Sequence, residues 1–584
     1  MRFPPLPPLR MHATPLVTAA NRALPTQIDT HAPATQVPRH PAWVIGLSSL
    51  WLASFGNLAL WHALKTLQLL DGVRGWAFGT SLLVMLTAAT ALLLGLLAWR
   101  WTLKPAITVL LFISASSVYF MLTYGVVIDA TMVRNVFQTD RLEAAGLLNP
   151  WLFATLGVLA VAPAVWLWRT PVHYGRWPRR AGGNALLVGL SATVVAGALF
   201  ASFQTLSSTV RNHKEVRYQV NPFNTLVAVG SLANMSAKRD PRVLLPLGED
   251  VQLGASYAQQ TKPPLLVLVL GETGRSGNFG INGYGRDTTP ELAREQVASF
   301  RDAWSCGTST AASVPCMFSH LQRSGYESRK NNHENLLDVV QRAGLAVLWV
   351  DNQAGCKGVC DRVPTASTTD LKDPALCVGE SCYDGMMLKD LDARIAALPA
   401  EHRARGVVVV LHQIGSHGPA YYERSPKAFK RFLPECTSNA LQNCSREELV
   451  NAYDNTIAYT DHFLASTVQW LKTRSDTAST AMVYVADHGE SLGENNLYLH
   501  GMPYALAPDV QKHVPWITWL SPGFEQRSTV RTDCLRQLDG PVSHDNYFHS
   551  VLGLLDLKTS AYQPPMDVYA RCAGAAKLVA AGKP

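Results

Sequence analysis

Up to about residue 204 the chain is built of long apolar blocks. Beyond it the apolar runs shorten to five or six residues and alternate with polar stretches. Five uncharged apolar segments stand out, at about 43–62, 76–99, 106–128, 151–168 and 185–203. Each approaches or exceeds the roughly 20 residues an α-helix needs to cross hydrocarbon, so the pattern predicts five membrane-spanning helices. The fourth is the shortest and carries Pro163. From about residue 263 the period changes. LLVLVL (265–270), LAVLWV (345–350), VVVVL (407–411) and AMVYV (481–485) are separated by helical stretches. Continuous, β-branched apolar runs with helices between them predict a parallel sheet covered on both faces. The expected fold is an N-terminal five-helix transmembrane domain followed by an α/β domain with a mainly parallel sheet between helices.

The expected organisation has five parts. Residues 1–42, rich in Pro, Thr and Ala without a period, read as a disordered cytoplasmic tail. The apolar region comes too late in the chain for a signal peptide. Residues 43–204 form the transmembrane domain. Residues 205–260 mix basic and apolar positions at helical spacing, as in RNHKEVRYQVNPFNTLVAVGSLA, and form a bridging segment along the membrane surface. Residues 261–575 form the second domain, and 576–584 a C-terminal tail.

Charge and cysteine usage give this layout a direction. The net charge of +8 over 584 residues is spread out, without a dense Lys/Arg run, so no nucleic-acid partner is expected. The mean hydropathy of +0.05 averages two unlike halves. With the N-terminus inside, the inner flanks carry Arg39, Arg100, Lys104, Arg169, Arg176, Arg179 and Arg180. The outer loops carry Lys65, Arg74, Arg134 and Arg141, offset by Asp71, Asp129, Asp140 and Glu143. That asymmetry follows the positive-inside rule, and an odd number of spans puts everything after residue 205 on the far side. All ten cysteines lie there, in close groups: Cys306/Cys316, Cys356/Cys360, Cys377/Cys382, Cys436/Cys444, then Cys534 and Cys572, paired by exclusion. Tight local pairs read as a disulfide framework, which persists in oxidising compartments. Cys356 and Cys360 are alternatively two ligands of a zinc–thiolate site, but no matching Cys/His quartet accompanies them.

The apolar runs of the second domain end in chemistry. Glu272 follows the first, and Asp351, Asn352, Gln353 and Lys357 follow the second. His412 and His417 follow the third; Asp487, His488, Glu490, Glu494 and His500 follow the fourth. Ligands of open α/β sheets bind beyond the carboxyl ends of the strands. Any one such residue is an ordinary loop residue, but four coincident strand ends point to a site. Carboxylate and imidazole suit zinc, manganese or a related divalent ion. The adjacent Asp487 and His488, with Glu272 from a neighbouring strand, would leave a catalytic metal an open position. In SCGTSTAASVPCMFS (305–319), Cys306 and Cys316 bracket Thr308, Ser309 and Thr310. Metal coordination can activate an alcohol of this kind, provided the oxygen is held in register. The residue types do not choose among the three hydroxyls.

GETGRSGNFGINGYGRDTTP, SCGTSTAASVPCMFS, HQIGSHGPAYY and ADHGESLGENNLYLHGMPYALAP together resemble the lipid A phosphoethanolamine transferases of Gram-negative bacteria, a group that includes the colistin-resistance enzymes. These are inner-membrane members of the alkaline phosphatase superfamily, and the resemblance runs from about residue 43 to 570. It implies that Thr310 is the nucleophile and that Glu272, Thr310, Asp487 and His488 hold one tightly bound zinc ion. His417 and His500 match positions that bind the phosphoethanolamine group or a second zinc, and Lys357 matches a lysine near the same phosphate. IDATMVRNVFQTDRLEA resembles a loop that receives the donor lipid, which places Asn135, Thr139 and Glu143 there. Gln353 stands where some members have Asn in contact with substrate.

The implied partners are phosphatidylethanolamine as donor, lipid A as acceptor and inner-membrane lipids, for a monomer whose catalytic domain lies in the periplasm. Inner-core sugars or periplasmic glucan are rival acceptors, and a metal-free envelope scaffold is a rival of another class. A sulfatase is disfavoured, because SVPCM offers Ser313 and Pro315 but Met317 where the sulfatase signature has Arg.

Overall fold

The computed structural model describes residues 38–574, apart from 140, 238–239, 241–242, 259, 369–370 and 379–380. The side chains of 141–143 and 236–237 are also outside the description. Of the expected tails, 576–584 and all of 1–42 except 38–42 lie outside the described residues.

Among the described residues five helices are long and apolar enough to cross a membrane: Pro41–Thr66, Gly72–Leu96, Leu103–Tyr124, Pro150–Arg169 and Trp177–Asn212. The fourth contains Pro163 and stays continuous through a π turn at Gly157–Val161. Proline has no N–H to give the carbonyl four residues back. That carbonyl belongs to Leu159, and Trp51 Nε1 of the first span donates to it at 3.2 Å instead. A neighbouring helix thus satisfies the group that proline frees, as an apolar surround requires. In the first span Asn57 is fully buried; it donates to Leu52 O and Asn221 O and accepts from Asn221 N–H.

Basic residues gather at one end of the bundle. Lys104 Nζ donates to Thr170 O at 2.8 Å, Arg39 N–H to Pro171 O, and Arg180 Nε to Ala98 O. The opposite end carries a short helix, α1 (Ala130–Gln138), and meets the second domain. Tyr119, Tyr124 and Leu152 pack there with Tyr498 and Leu499. Gly125 ends the third span at φ +70°, and a Cβ on it would lie 2.8 Å from Asn496 O. Both the backbone conformation and the close approach call for glycine. After the fifth span, the helix Phe223–Ala237 packs against α1. Leu244–Leu245 then pairs with Asn332–His333 of the second domain.

The second domain is built on β1 (Pro264–Gly271), β2 (Ala298–Trp304), β3 (Ala346–Asp351), β4 (Thr365–Ser367), β5 (Val407–His412), β6 (Ser479–Ala486), β7 (His513–Leu520) and β8 (Val542–Ser543). They form one sheet in the order β8-β2-β7-β6-β1-β5-β3-β4. Only β7 opposes its neighbours β6 and β2; the other pairings are parallel. Every residue of β1 is buried, with Leu268 aligned with Val410 on one side and Val483 on the other. That two-sided burial explains the continuous apolar runs. Helices such as Leu336–Arg342 and Arg446–Lys472 cover the sheet, the latter opened by a capping box between Ser445 and Glu448. Five disulfides, Cys306–Cys316, Cys356–Cys360, Cys377–Cys382, Cys436–Cys444 and Cys534–Cys572, all lie in this domain.

Candidate active site

The site lies beyond the carboxyl ends of β1, β6, β5 and β3, where each strand hands over to a loop. Glu272 follows β1, Asp487 and His488 follow β6, and all three are at most 1% exposed. One ligand atom from each lies within 4.8 Å of the others. His488 Nε2 is 3.4 Å from Glu272 Oε1 and 3.4 Å from Asp487 Oδ2. His488 Nδ1 lies 2.9 Å from Gly489 O, which only accepts, so the proton sits on Nδ1 and Nε2 faces the carboxylates. Asp487 Oδ1 accepts from the Thr273 and His488 N–H groups, whereas Oδ2 is buried without a hydrogen-bond partner.

Thr310 opens helix α2 (Thr310–Met317), with Ser309 as its N-cap residue. Thr310 Oγ1 donates to Glu272 Oε2 at 3.0 Å and lies 3.5 Å from His488 Nε2. Thr308 Oγ1 donates instead to Met502 O, so the structure separates two hydroxyls that the sequence left equivalent. The Cys306–Cys316 disulfide ties the loop before α2 to its last turn.

Electrostatics mark the same cluster. Burial pushes Glu272 up, but His488, His417 and His500 together hold it well below the usual carboxylate range. Burial and the neighbouring Glu272 push Asp487 up to about 6. Burial opposes charging of His488, yet Asp487 and Glu272 outweigh it and raise the ring to about 10. A surplus of negative charge that draws a proton to a buried imidazole will draw a cation at least as strongly. Two carboxylates, one imidazole and the unpartnered Asp487 Oδ2 fit a divalent ion with Thr310 beside it.

His417 and His500 adjoin the cluster. The His500 ring lies 4.2 Å from His488 and 5.5 Å from His417, centroid to centroid. His500 Nδ1 faces Glu490 Oε1 at 3.3 Å, and Glu490, fully buried, also accepts from Tyr421 OH. His417 and His500 close one end of a cavity of about 150 Å³ between the two domains. Asn135 and Thr139 of the membrane-side loop line the same cavity, with Tyr124, Met132 and Leu499 in its apolar walls. Thr139 Oγ1 donates to Asn135 O, at the end of α1. Glu143 belongs to the helix Arg141–Leu147, and its side chain is not described. The Lys357 ammonium donates to Ala354 O and, across the domain boundary, to Gln138 O. Gln353 turns to the cluster: its Nε2 donates to Glu272 Oε2 at 2.7 Å.

Asp384 was not singled out from the sequence, and Asp351 and His412 stood there only as strand-end residues; all three support the site. Asp384 is 2% exposed and accepts from the Ile414 and Gly415 N–H groups and from Asn352 Nδ2. It holds the 414–416 turn against Glu272, whose carbonyl accepts from Ser416 N–H. Asp351 accepts from Gln353 N–H and lies 3.1 Å from buried His412, which fixes the turn that aims Gln353. Asp384 lies in a short turn with no apolar strand ahead of it, so the strand-end signal passes it by.

Comparison with known proteins agrees with this architecture. A family model described as phosphoethanolamine transferase EptA/EptB matches residues 86–237, and the sulfatase family model matches 264–557. Phosphoethanolamine transferase EptA of Salmonella typhimurium is 38% identical over 545 residues, covering 91% of this chain and 96% of that protein. Phosphatidylethanolamine transferase Mcr-1 of Escherichia coli is 37% identical over 491 residues, 82% of this chain and 89% of that one. The integral membrane lipooligosaccharide phosphoethanolamine transferase A of Neisseria meningitidis superposes with a TM-score of 0.86 at 34% identity, over 92% of this chain and 100% of the other.

Proposed function

The chain belongs to the phosphoethanolamine transferase family of the alkaline phosphatase superfamily, and from that premise we propose that it moves phosphoethanolamine from phosphatidylethanolamine to a phosphate of lipid A through a covalent adduct on Thr310. The observation that carries this reading is the position of Thr310 Oγ1, 3.0 Å from Glu272 and 3.5 Å from His488, with the neighbouring His417 and His500 closing a cavity that the membrane-side loop also lines.

Glu272, Asp487 and His488 would hold a zinc ion next to Thr310. When bound, the ion supplies Lewis-acid charge that lowers the cost of deprotonating the hydroxyl and stabilises the phosphoryl oxygens. Thr310 directs its proton to Glu272 Oε2. Its oxygen forms a bond to the donor phosphorus as the phosphorus–oxygen bond to diacylglycerol breaks. His500, backed by Glu490, or His417 protonates the departing alkoxide. A lipid A phosphate oxygen then attacks the adduct phosphorus, the bond from phosphorus to Thr310 Oγ1 breaks, and Thr310 takes its proton back from Glu272 Oε2, so ping-pong kinetics are expected. The apolar walls of the cavity suit the glyceride end of the donor, and Asn135 and Thr139 suit its polar head. Lys357, held by Ala354 O and Gln138 O, would supply positive charge at the edge between the domains. The product carries an ammonium on an anionic phosphate, which weakens attraction of polycationic peptides such as polymyxins.

The basic ends of the spans support a reading with the N-terminus in the cytoplasm and the second domain in the periplasm of a Gram-negative inner membrane. The five-part division of the chain read from the sequence belongs to the same proposal. A sulfatase reading loses further ground, because Ser313 turns its hydroxyl to Asp487 O and Met317 is fully buried. Intact-mass measurement after incubation with phosphatidylethanolamine tests the proposal. Wild type gains one phosphoethanolamine and Thr310→Ala gains none; an adduct that persists in the variant refutes it.

A further inference from the structure

Beside the reactive cluster lie two buried residues that no step of the reaction uses. His544 follows the edge strand β8 and is 1% exposed. Cys306 N–H donates to His544 Nδ1 at 3.1 Å, and His544 Nε2 lies 3.0 Å from Ala486 O. A backbone N–H only donates and a carbonyl only accepts, so Nδ1 is bare and Nε2 carries the proton. Ser313, fully buried, places its Oγ 2.5 Å from Asp487 O and 3.1 Å from His544 Nδ1.

His544 therefore joins two stretches of chain, the loop that opens the disulfide clip and the end of β6 immediately ahead of Asp487 and His488. Ser313 gives its one hydroxyl proton to Asp487 O and so adds a second tie beside the first, from helix α2. The clip alone cannot do this. Cys306 and Cys316 belong to one short segment, so their bond fixes α2 against its own loop and leaves both free to shift against β6. Ser313 is three residues beyond Thr310 and so shares its face of the helix. Anchoring Ser313 to the Asp487 carbonyl fixes the rotation of α2 about its axis, and with it the azimuth of Thr310.

We infer that His544, acting with Ser313, is a positioning residue for the transfer reaction: it sets the register between the nucleophile helix and the metal-binding loop. The inference rests on the reading of Thr310 as nucleophile. Burial pushes the His544 ring down to about 3, so it keeps the tautomer that both hydrogen bonds need. A displacement of about 1 Å at a reacting atom costs on the order of a hundredfold in rate.

The test uses the purified full-length protein, loaded with zinc, in nanodiscs of phosphatidylethanolamine. His544→Phe and Ser313→Ala should each lower kcat about a hundredfold, with KM for the donor within about twofold of wild type. Zinc per chain should be unchanged. The double variant should be little worse than the more impaired single variant, because both ties hold the same seam between α2 and the end of β6. His544→Gln, which can still donate to Ala486 O, should recover part of the rate. Wild-type kcat in His544→Phe or Ser313→Ala overturns the inference, as does a loss that tracks KM or zinc content. Should His544→Phe fail to fold, Ser313→Ala decides by the same criteria, since it removes a single oxygen. If Thr310→Ala still forms an adduct, the nucleophile reading falls. If Thr310→Ala is inert while His544→Phe and Ser313→Ala turn over normally, only this inference falls.

Discussion

Gln353 donates its side-chain amide to Glu272 Oε2 at 2.7 Å, the same oxygen that receives the Thr310 hydroxyl. A glutamine at the end of β3 thus orients a carboxylate at the end of β1. Groups that orient a metal ligand from behind typically contribute about ten- to a hundredfold to metal affinity. Gln353→Leu should weaken zinc binding by about that factor, measured by competition with a chromophoric chelator. An unchanged dissociation constant would show that Thr273 Oγ1, which donates to the other oxygen, suffices to hold Glu272.

Three histidines, His544 and His549 buried and His320 half-buried, make the catalytic domain acid-sensitive. Burial lowers His320 to about 4, His549 to about 4 and His544 to about 3. An unfolded histidine titrates near 6.5. Between about 6.5 and about 4 the unfolded chain binds protons that the native chain refuses, so stability is lost as pH falls through that window. His549→Asn keeps an acceptor for the Gln563 N–H but cannot take up a proton. Its apparent Tm should fall less steeply than that of wild type between about pH 7 and about pH 5.

Gly125 brings the membrane bundle against the hairpin formed by Ser491–Leu492 and Tyr498–Leu499. An alanine there would adopt a left-handed conformation that costs about 1–2 kcal/mol and would press its Cβ to 2.8 Å from Asn496 O. The hairpin it displaces leads directly into Leu499 and His500. Gly125→Ala should reduce lipid-dependent transfer about tenfold, as the strain of some 1.4 kcal/mol at the seam implies, while zinc content is retained. Nanodisc turnover set against metal analysis reads both.

The acceptor is checked in cells. Lipid A from a Gram-negative host expressing the chain should gain one phosphoethanolamine mass, and the gain should vanish with Thr310→Ala. Mass appearing on inner-core sugars or periplasmic glucan instead would assign a different acceptor to the same chemistry.

The five spans were legible because a lipid-facing helix must be apolar over its whole length. The sheet was legible because β1, β3, β5 and β6 are buried on both faces. Glu272, Asp487 and His488 followed from those strands, each within two residues of a strand end. His544 follows a strand as well, but β8 is two residues long and leaves no hydropathy trace. Gln353 was noticed as a polar residue at a strand end; that it serves Glu272 depends on how the Asp351 turn aims it, which spacing does not encode. The π turn at Gly157–Val161 was equally hidden. Pro163 signals a lost hydrogen bond, but the rescue by Trp51 comes from a residue more than a hundred positions away.

The fifth span has 36 residues. At about 1.5 Å per residue it measures roughly 54 Å, against about 30 Å of hydrocarbon. Its last turns carry Gln204, Ser207, Ser208, Thr209, Arg211 and Asn212, residues suited to water. The helix therefore outruns the hydrocarbon, and its last turns, with Leu206 packed beside Leu64 and Phe78, carry the chain out to where the connector to the second domain begins.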